Sequence, residues 1–245
     1  MNGTGSQSDL REVTIKSLAD EADSGHGSPL GAEVLPAATL VVALSTNRPP
    51  MLYFSQGGMT MITKTKDEAT IADLYRVPEH GKAEIVDGKL VRMSPTGGKP
   101  GRAALKIVMS LMQHEDEHGG GYAIGDNVGF IVNLPNRKSF SPDAAWYVGD
   151  VDTMEFLQGA PTFAVEVRSE GDYGPRAERA IARKIDDYFA AGTLVVWDVD
   201  LLGEDVIKVY RAIDPEHPAI YRQGDLAEAE PAVPGWRMPV DDLFR

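Results

Sequence analysis

Cysteine is absent from the 245-residue chain. Disulfide frameworks, thiolate zinc sites, iron–sulfur clusters and cysteine nucleophiles are thereby excluded. Positive charge is scarce: 24 Lys and Arg stand against 37 Asp and Glu, a formal net charge of −13. Phosphate affinity comes from lysine and arginine close to the nucleic-acid backbone, so this is a poor global field for a protein that coats nucleic acid without help. Long apolar runs are also lacking. The longest, Val34–Leu44, spans 11 residues and contains Pro36 and Thr39, whereas a membrane helix takes about 20. The stretch before it is acidic and long, unlike the short basic start of a secretory signal. The expectation is a soluble cytoplasmic protein with no membrane partner. What is present, 42% hydrophobic and 25% charged residues, is the composition of an ordinary globular protein.

The chain divides near Met59. Residues 1–58 are rich in Gly, Ser, Thr, Ala and Pro and carry no sustained apolar period, so they cannot bury enough apolar surface to offset chain entropy. They are expected to be a disordered extension or a non-native start, with residues 59–245 forming one domain that is itself acidic.

From Thr70 onward, turn signals are dense. A short helix fits Thr70–Tyr75, stopped before Pro78. Ala83–Val86 and Lys89–Met93 flank Asp87-Gly88, which supplies the positive φ angles of a tight hairpin turn. A helix is expected over Ala103–His118, with Ala104, Ile107, Val108, Leu111 and Met112 on one stripe and Gly119 ending it. Strands fit Asn127–Leu134, Ala144–Val148 and Phe163–Val167. A helix from Pro175 to Ala190 follows, then strands at Leu194–Val199 and Val206–Arg211. The order from Ala103 to Val199 is α-β-β-β-α-β, an α/β arrangement with a mixed sheet.

The run Phe163-Ala164-Val165-Glu166-Val167 reads as an interior strand covered on both faces, and Glu166 is its only charge. A buried carboxylate must be protonated, paired or bound to a cation; the bland reading is an ion pair with Arg168 or Arg179. Asp143 follows Pro142 at the entrance of the preceding strand, where an aspartate often only caps a turn. If the two strands are neighbours, Asp143 and Glu166 form a carboxylate pair that needs a shared proton or a divalent cation, and oxygen-only ligation selects magnesium or manganese. On the next helix the apolar stripe runs through Ala177, Ile181, Ile185 and Tyr188. Lys184 sits at its edge and turns towards the sheet, while Arg176, Arg179 and Arg183 face outward as a local basic stripe. A snorkelling lysine and a solvated charged face are the bland readings of these features.

Taken together, Ala83-Glu84-Ile85-Val86-Asp87-Gly88-Lys89-Leu90, Met93-Ser94-Pro95, Ser141-Pro142-Asp143, Gly159-Ala160-Pro161, Val165-Glu166-Val167-Arg168-Ser169 and Lys184 with Tyr188, Gly192 and Trp197 form a pattern. It is similar to the restriction endonuclease family greatly expanded in cyanobacteria, part of the PD-(D/E)XK nuclease superfamily. The likeness covers roughly Thr70 to Phe244. It implies a restriction-endonuclease-like αβββαβ core with a mixed central sheet, plus an N-terminal β-hairpin. It also implies Asp143 and Glu166 as metal-binding carboxylates, with the Val167 carbonyl as a further ligand and Glu84 as an additional acidic residue. The motif lysine belongs at position 168, which is Arg168 here; the family commonly offers a lysine on the following helix instead, here Lys184. The implied activity is magnesium-dependent hydrolysis of DNA phosphodiester bonds, with manganese as a substitute ion. Arg168, Arg176, Arg179 and Arg183 would contact nucleic acid. DNA binding is expected to be weak and salt-sensitive, and a homodimer is compatible with the pattern.

Two other readings compete. One is a non-catalytic, nuclease-like scaffold that binds DNA or a protein, favoured by Arg168 in place of lysine and by the acidic surface. The other is a zinc metalloprotease, because His114-Glu115-Asp116-Glu117-His118 is a literal H-E-x-x-H on an expected helix. Against it, the helix breaks at once at Gly119, and Ile124 stands where the longer pattern has a third histidine.

Overall fold

The computed structural model describes residues 68–78 and 81–245; the extension expected over residues 1–58, and the domain boundary at residue 59, lie outside them. The first helix, α1 (Ile71–Tyr75), starts at Thr70 because Thr70 and Asp73 exchange capping bonds: each side chain accepts from the other's backbone N–H, at 3.3 and 2.9 Å. Its Leu74, with Val77, packs on Ala83 and Ile85 of the hairpin β1 (Ala83–Val86) and β2 (Lys89–Arg92). The turn between them has Asp87 at φ 49° and Gly88 at φ 66°, the two positive values that an Asp-Gly turn provides.

Helix α2 (Gly98–His118) begins five residues before the expected start. Pro100 lies within its first turn, where a missing N–H leaves no hydrogen bond unmade. The buried stripe is Ala103, Ala104, Ile107, Leu111 and His114; Met112, expected on it, is half exposed at 52% and shares the outer face with Leu105 and Met109. The single strand expected over Asn127–Leu134 does not form. Asn127 has φ 63°, a left-handed conformation that ends an extended run, so β3 (Tyr122–Ile124) and β4 (Phe130–Ile131) are separate strands in different sheets. A small sheet joins β4 to β5 (Ser139–Phe140) and β7 (Leu157–Gln158).

The central sheet uses β3, β6 (Ala144–Tyr147), β8 (Phe163–Val167), β9 (Val195–Val199), β10 (Ile207–Arg211) and β11 (Asp214–Tyr221), in the order β11-β10-β9-β8-β6-β3. Helix α3 (Pro175–Ala190) connects β8 to β9, the one parallel pair; the other neighbours are antiparallel. The sequence α2-β3-β6-β8-α3-β9 is the αβββαβ core. Pro215 and Pro218 fall in β11, which is an edge strand, where missing donors cost no ladder bond. A small hairpin, β12 (Leu226–Glu228) with β13 (Arg237–Pro239), and a closing 3-10 helix (Val240–Phe244) complete the chain.

Strand alternation divides the core into two layers. Ala144, Trp146, Phe163, Val165, Val195 and Trp197 point to one face, packed by α2 and the closing segment around Trp236 and Leu243. Ala145, Tyr147, Ala164 and Val196 point to the other, packed by Ile185 and Tyr188 of α3 and by Phe130 and Phe140 of the small sheet. Glu166 therefore emerges under α3, inside the second layer.

Candidate active site

The antiparallel register pairs Ala144 with Val165, and the Asp143 N–H donates to the Val165 carbonyl at 3.0 Å. Asp143 thus lies across the ladder from Glu166. It shares the strand parity of Ala145 and Tyr147, so both carboxylates belong to the α3 face. The Val167 N–H donates to Asp143 Oδ2 at 2.8 Å, and Lys82 Nζ donates to Asp143 Oδ1 at 2.7 Å. Lys82 stands directly before β1 and also reaches Asp126 Oδ1 at 2.6 Å. Burial opposes its charge, but Asp143 and Asp126 outweigh that effect and raise its pKa.

Glu166 accepts from two residues one turn apart on α3. Lys184 Nζ lies 2.8 and 2.9 Å from its two carboxylate oxygens, and the Tyr188 hydroxyl donates to Oε1 at 2.6 Å. Tyr188 is fixed by stacking on Phe140, ring centroids 4.0 Å apart. Lys184 also contacts Glu84 Oε1 at 3.0 Å. Glu84, 3% exposed on β1, accepts from Arg137 Nη1 at 2.5 Å and from the Ser141 N–H at 2.9 Å. Arg137 in turn donates to Asp187 at 2.8 Å, and Asn136 donates to the other Asp187 oxygen at 2.8 Å. The result is a continuous relay from the half-buried Glu166 and Lys184 through the buried Glu84 and Arg137 to Asp187.

The two carboxylates that share Lys184 titrate in opposite directions. Burial raises the Glu166 carboxyl; Lys184 pulls it down, but Asp143 and Glu84 push it further up, and the net shift is upward. Burial works against Glu84 as well, yet Lys184 and Arg137 and the bonds from Lys184 and Ser141 prevail, holding it below the usual carboxylate value. Lys184 is kept protonated: burial disfavours its charge, and Glu166 with Glu84 more than compensates, raising its pKa.

The expected residues separate into those that meet and those that do not. Asp143, Glu166, Lys184 and Glu84 come together. Arg168 does not join them. It is buried, its Nε and Nη2 donate to Asp198 at 2.7 and 2.6 Å, and its Nη1 and Nη2 donate to Glu178 at 2.5 and 3.0 Å. An ion cluster of this kind leaves the guanidinium turned inward, so the phosphate contact expected of Arg168 is replaced by a bridge between β9 and α3. The expected alternative of a Glu166–Arg168 pair fails for the same reason: Lys184 takes that role. Arg176 and Arg179 are exposed on α3. Arg183 is exposed too but is paired with Asp87 of the hairpin turn at 2.7 and 3.0 Å.

The H-E-x-x-H segment is not arranged for zinc. The His114 and His118 rings stack with centroids 4.5 Å apart, and among the described residues no third His, Asp or Glu joins them as a ligand group. Glu115 accepts from the Ala123 N–H at 2.7 Å, tying α2 to β3.

Sequence reasoning overlooked Lys82, Asp126, Arg137 and Asp187. Lys82 carried a signal: it is two residues from Glu84, hence on the same side of an extended chain. Arg137, within Pro135-Asn136-Arg137-Lys138, reads as turn surface, and only the tertiary fold buries it.

Oxygen ligands suit a hard divalent ion, and magnesium binds through one or two carboxylates while retaining several waters. Asp143 and Glu166 meet that requirement, and the Lys82 ammonium seated between Asp143 and Asp126 marks the place as one that already draws a cation. Among the described residues no ready-made group of three or more acidic or histidine ligands exists, so the ion would be held by this pair, backbone and water. A cleft of about 130 Å³ adjoins Asp143 and Asp126, walled by Pro100, Ala104 and Val108 of α2. A larger open groove of about 400 Å³ lies at β4, β7 and the end of α3 and borders none of these residues.

An αβββαβ core with a carboxylate pair on its two central antiparallel strands is a restriction-endonuclease-like arrangement of the PD-(D/E)XK class. The model of the Uma2 family, described as "Putative restriction endonuclease", matches residues 71–241. The chain belongs to that family. A search of curated proteins finds no match. Among solved structures, the chain is similar to a putative nuclease belonging to DUF820 from Anabaena variabilis, with a TM-score of 0.58 at 17% identity, over 72% of this chain and 97% of that one. At that identity the likeness concerns the fold.

Proposed function

We propose that the protein is a magnesium-dependent endonuclease that hydrolyses DNA phosphodiester bonds, with manganese able to replace magnesium. One observation carries this reading: Asp143 and Glu166 stand across one ladder on the same face, with the Lys184 ammonium 2.8 Å from Glu166. Held by Asp143, Glu166 and the Val167 carbonyl, the ion would supply a Lewis acid for the phosphate and a more acidic water.

The chain's own residues have separable tasks. Glu84 and Glu166 hold the Lys184 ammonium in place and keep it charged, ready to donate to the attacking water or to a phosphate oxygen as charge develops there. Tyr188 fixes the rotamer of Glu166. Arg137 and Asp187 fix Glu84, so the relay positions Lys184 rather than touching substrate. Arg176 and Arg179 offer exposed charge for the flanking phosphates. With an acidic protein around them, binding should be weak and fall steeply with salt.

A non-catalytic scaffold remains the competing reading, favoured by the internal cation that each carboxylate already has. Nicking of supercoiled plasmid with magnesium, compared with EDTA, separates the two. Activity should vanish in Asp143→Asn and Glu166→Gln while the fold, read by circular dichroism, persists. Equal nicking by the variants would refute the assignment, and none by the folded wild-type protein would favour the scaffold.

A further inference from the structure

We propose that Lys82 is an internal counter-ion that competes with the divalent metal for Asp143, and that Asp126 is the seat to which its ammonium withdraws when the metal enters. The inference rests on the nuclease reading above and concerns how the metal gains access to that site.

The geometry has three parts. Lys82 Nζ is shared almost equally, 2.7 Å from Asp143 Oδ1 and 2.6 Å from Asp126 Oδ1. Its side chain is 17% exposed and that of Asp143 20%, whereas that of Asp126 is 48% exposed. One seat is therefore enclosed and the other open to water, and an ammonium displaced from the first keeps a partner in the second. A carboxylate oxygen bonded to an ammonium at 2.7 Å cannot also coordinate a divalent ion along the same direction. Metal and Lys82 thus compete for the lone pair of Asp143 Oδ1 that the ammonium occupies, and their like charges disfavour occupancy together.

The surrounding backbone lets the side chain move without the fold. The Lys82 carbonyl accepts from the Met93 N–H at 2.9 Å, which anchors the residue beside the hairpin. Asp126 is steadied by a bond from the Asn127 N–H to its Oδ1 at 2.7 Å. Between these fixed points runs only the four-carbon lysine stem, with its many rotamers. Lys184 differs. It is bonded to Glu84 as well as Glu166, and Glu84 is locked by Arg137 and Ser141, so a cation arriving at the carboxylate pair has one yielding lysine and one fixed one. The cleft beside Asp126 and Asp143 gives a partly hydrated ion an approach from the α2 side.

Competition makes a prediction that a structural role does not. Removing a merely structural lysine would loosen the site and weaken metal binding, whereas removing a competitor strengthens it. Manganese titrated calorimetrically into Lys82→Met should bind about tenfold or more tighter than into the wild-type protein, the factor expected when one opposite charge leaves a carboxylate's side. Lys82→Gln serves as a second variant, and thermal melts establish that each is folded. Asp126→Asn should weaken manganese binding several-fold in the wild-type background, because Lys82 loses its alternative seat, and should change nothing in the Lys82→Met background.

Unchanged or weaker binding in folded Lys82→Met and Lys82→Gln would overturn the proposal and leave the nuclease reading intact if the wild-type protein still nicks DNA. Equal weakening by Asp126→Asn in both backgrounds would make Asp126 a ligand and overturn its role as a seat. Heat in Lys82→Met but none in the wild type would support the competition. No heat in any variant, together with no nicking, would end both readings.

Discussion

Replacing Glu84 and Glu166 by glutamine, one at a time and with EDTA present, should move stability in opposite directions. Glu84 is 3% exposed and is held by three donors, Arg137 at 2.5 Å, the Ser141 N–H at 2.9 Å and Lys184 at 3.0 Å. A glutamine amide accepts through one oxygen and turns its NH2 against another donor. Breaking a buried pair in this way costs about 3–5 kcal/mol. Glu166 is less enclosed, its side chain 21% exposed, and its carboxyl is already pushed up. A neutral isostere there removes an unfavourable charge and keeps an oxygen for Tyr188; its NH2 faces Lys184, whose ammonium keeps Glu84 and, with the side chain 18% exposed, can turn towards water. Its effect should be neutral or favourable, by up to about 1 kcal/mol.

Urea unfolding at pH 7, followed by fluorescence of the buried Trp146, Trp197 and Trp236, measures both changes. With a slope of about 2 kcal/mol/M, Glu84→Gln should lower the midpoint by roughly 1.5–2.5 M and Glu166→Gln should leave it level or raise it slightly. The pH dependence follows from the two directions. The stability contributed by Glu84, whose folded pKa is lowered, is present above the unfolded carboxyl value of about 4.3 and is lost as pH falls through the folded value. The deficit of Glu84→Gln is therefore full at pH 7 and shrinks below about pH 4. The folded pKa of Glu166 is raised, so the cost of its charge is present above that value and is relieved as pH falls through it. The wild-type protein should accordingly gain on Glu166→Gln as pH is lowered from neutrality. Midpoints that fall together by similar amounts would mean that the two carboxylates carry their charge at the same cost, contrary to their opposite shifts.

Arg168→Lys places a lysine at the motif position, yet it should add no nicking activity, because the side chain serves Asp198 and Glu178. It should lower stability by about 1–3 kcal/mol, since an ammonium cannot reproduce the planar paired bonds; increased nicking without that loss would contradict this. Arg176→Ala with Arg179→Ala should weaken DNA binding measured by anisotropy and reduce the slope of log K against log salt by about 0.9 for each phosphate no longer neutralised, leaving the urea midpoint unchanged. An unchanged slope would remove these arginines from the interface.

The parts of the fold written in local pattern were legible in the sequence. The Asp87-Gly88 turn, the apolar run around Glu166 and the α3 stripe that aims Lys184 at the sheet each rest on short-range geometry, and each recurs in the structure. The short strands β3, β4, β5 and β7 were not legible, because strands of two or three residues show no period, and Asn127 breaks the one run that looked long. The edge strand β11 was hidden by Pro215 and Pro218, which argue against a central strand but not against an edge. In the site, the carboxylates and Lys184 could be named from single elements. The Arg137–Asp187 support and the Lys82–Asp126 pair depend on segments distant in sequence, as does the capture of Arg168 by Asp198 and Glu178.

The most direct test of the site is the position of manganese, located by anomalous scattering in crystals grown with the ion. A metal centre at the carboxylate pair requires a peak in coordination contact with both Asp143 and Glu166, with the Lys82 ammonium withdrawn from Asp143 to Asp126. A peak elsewhere, or Lys82 still bonded to Asp143 beside a bound ion, would contradict it.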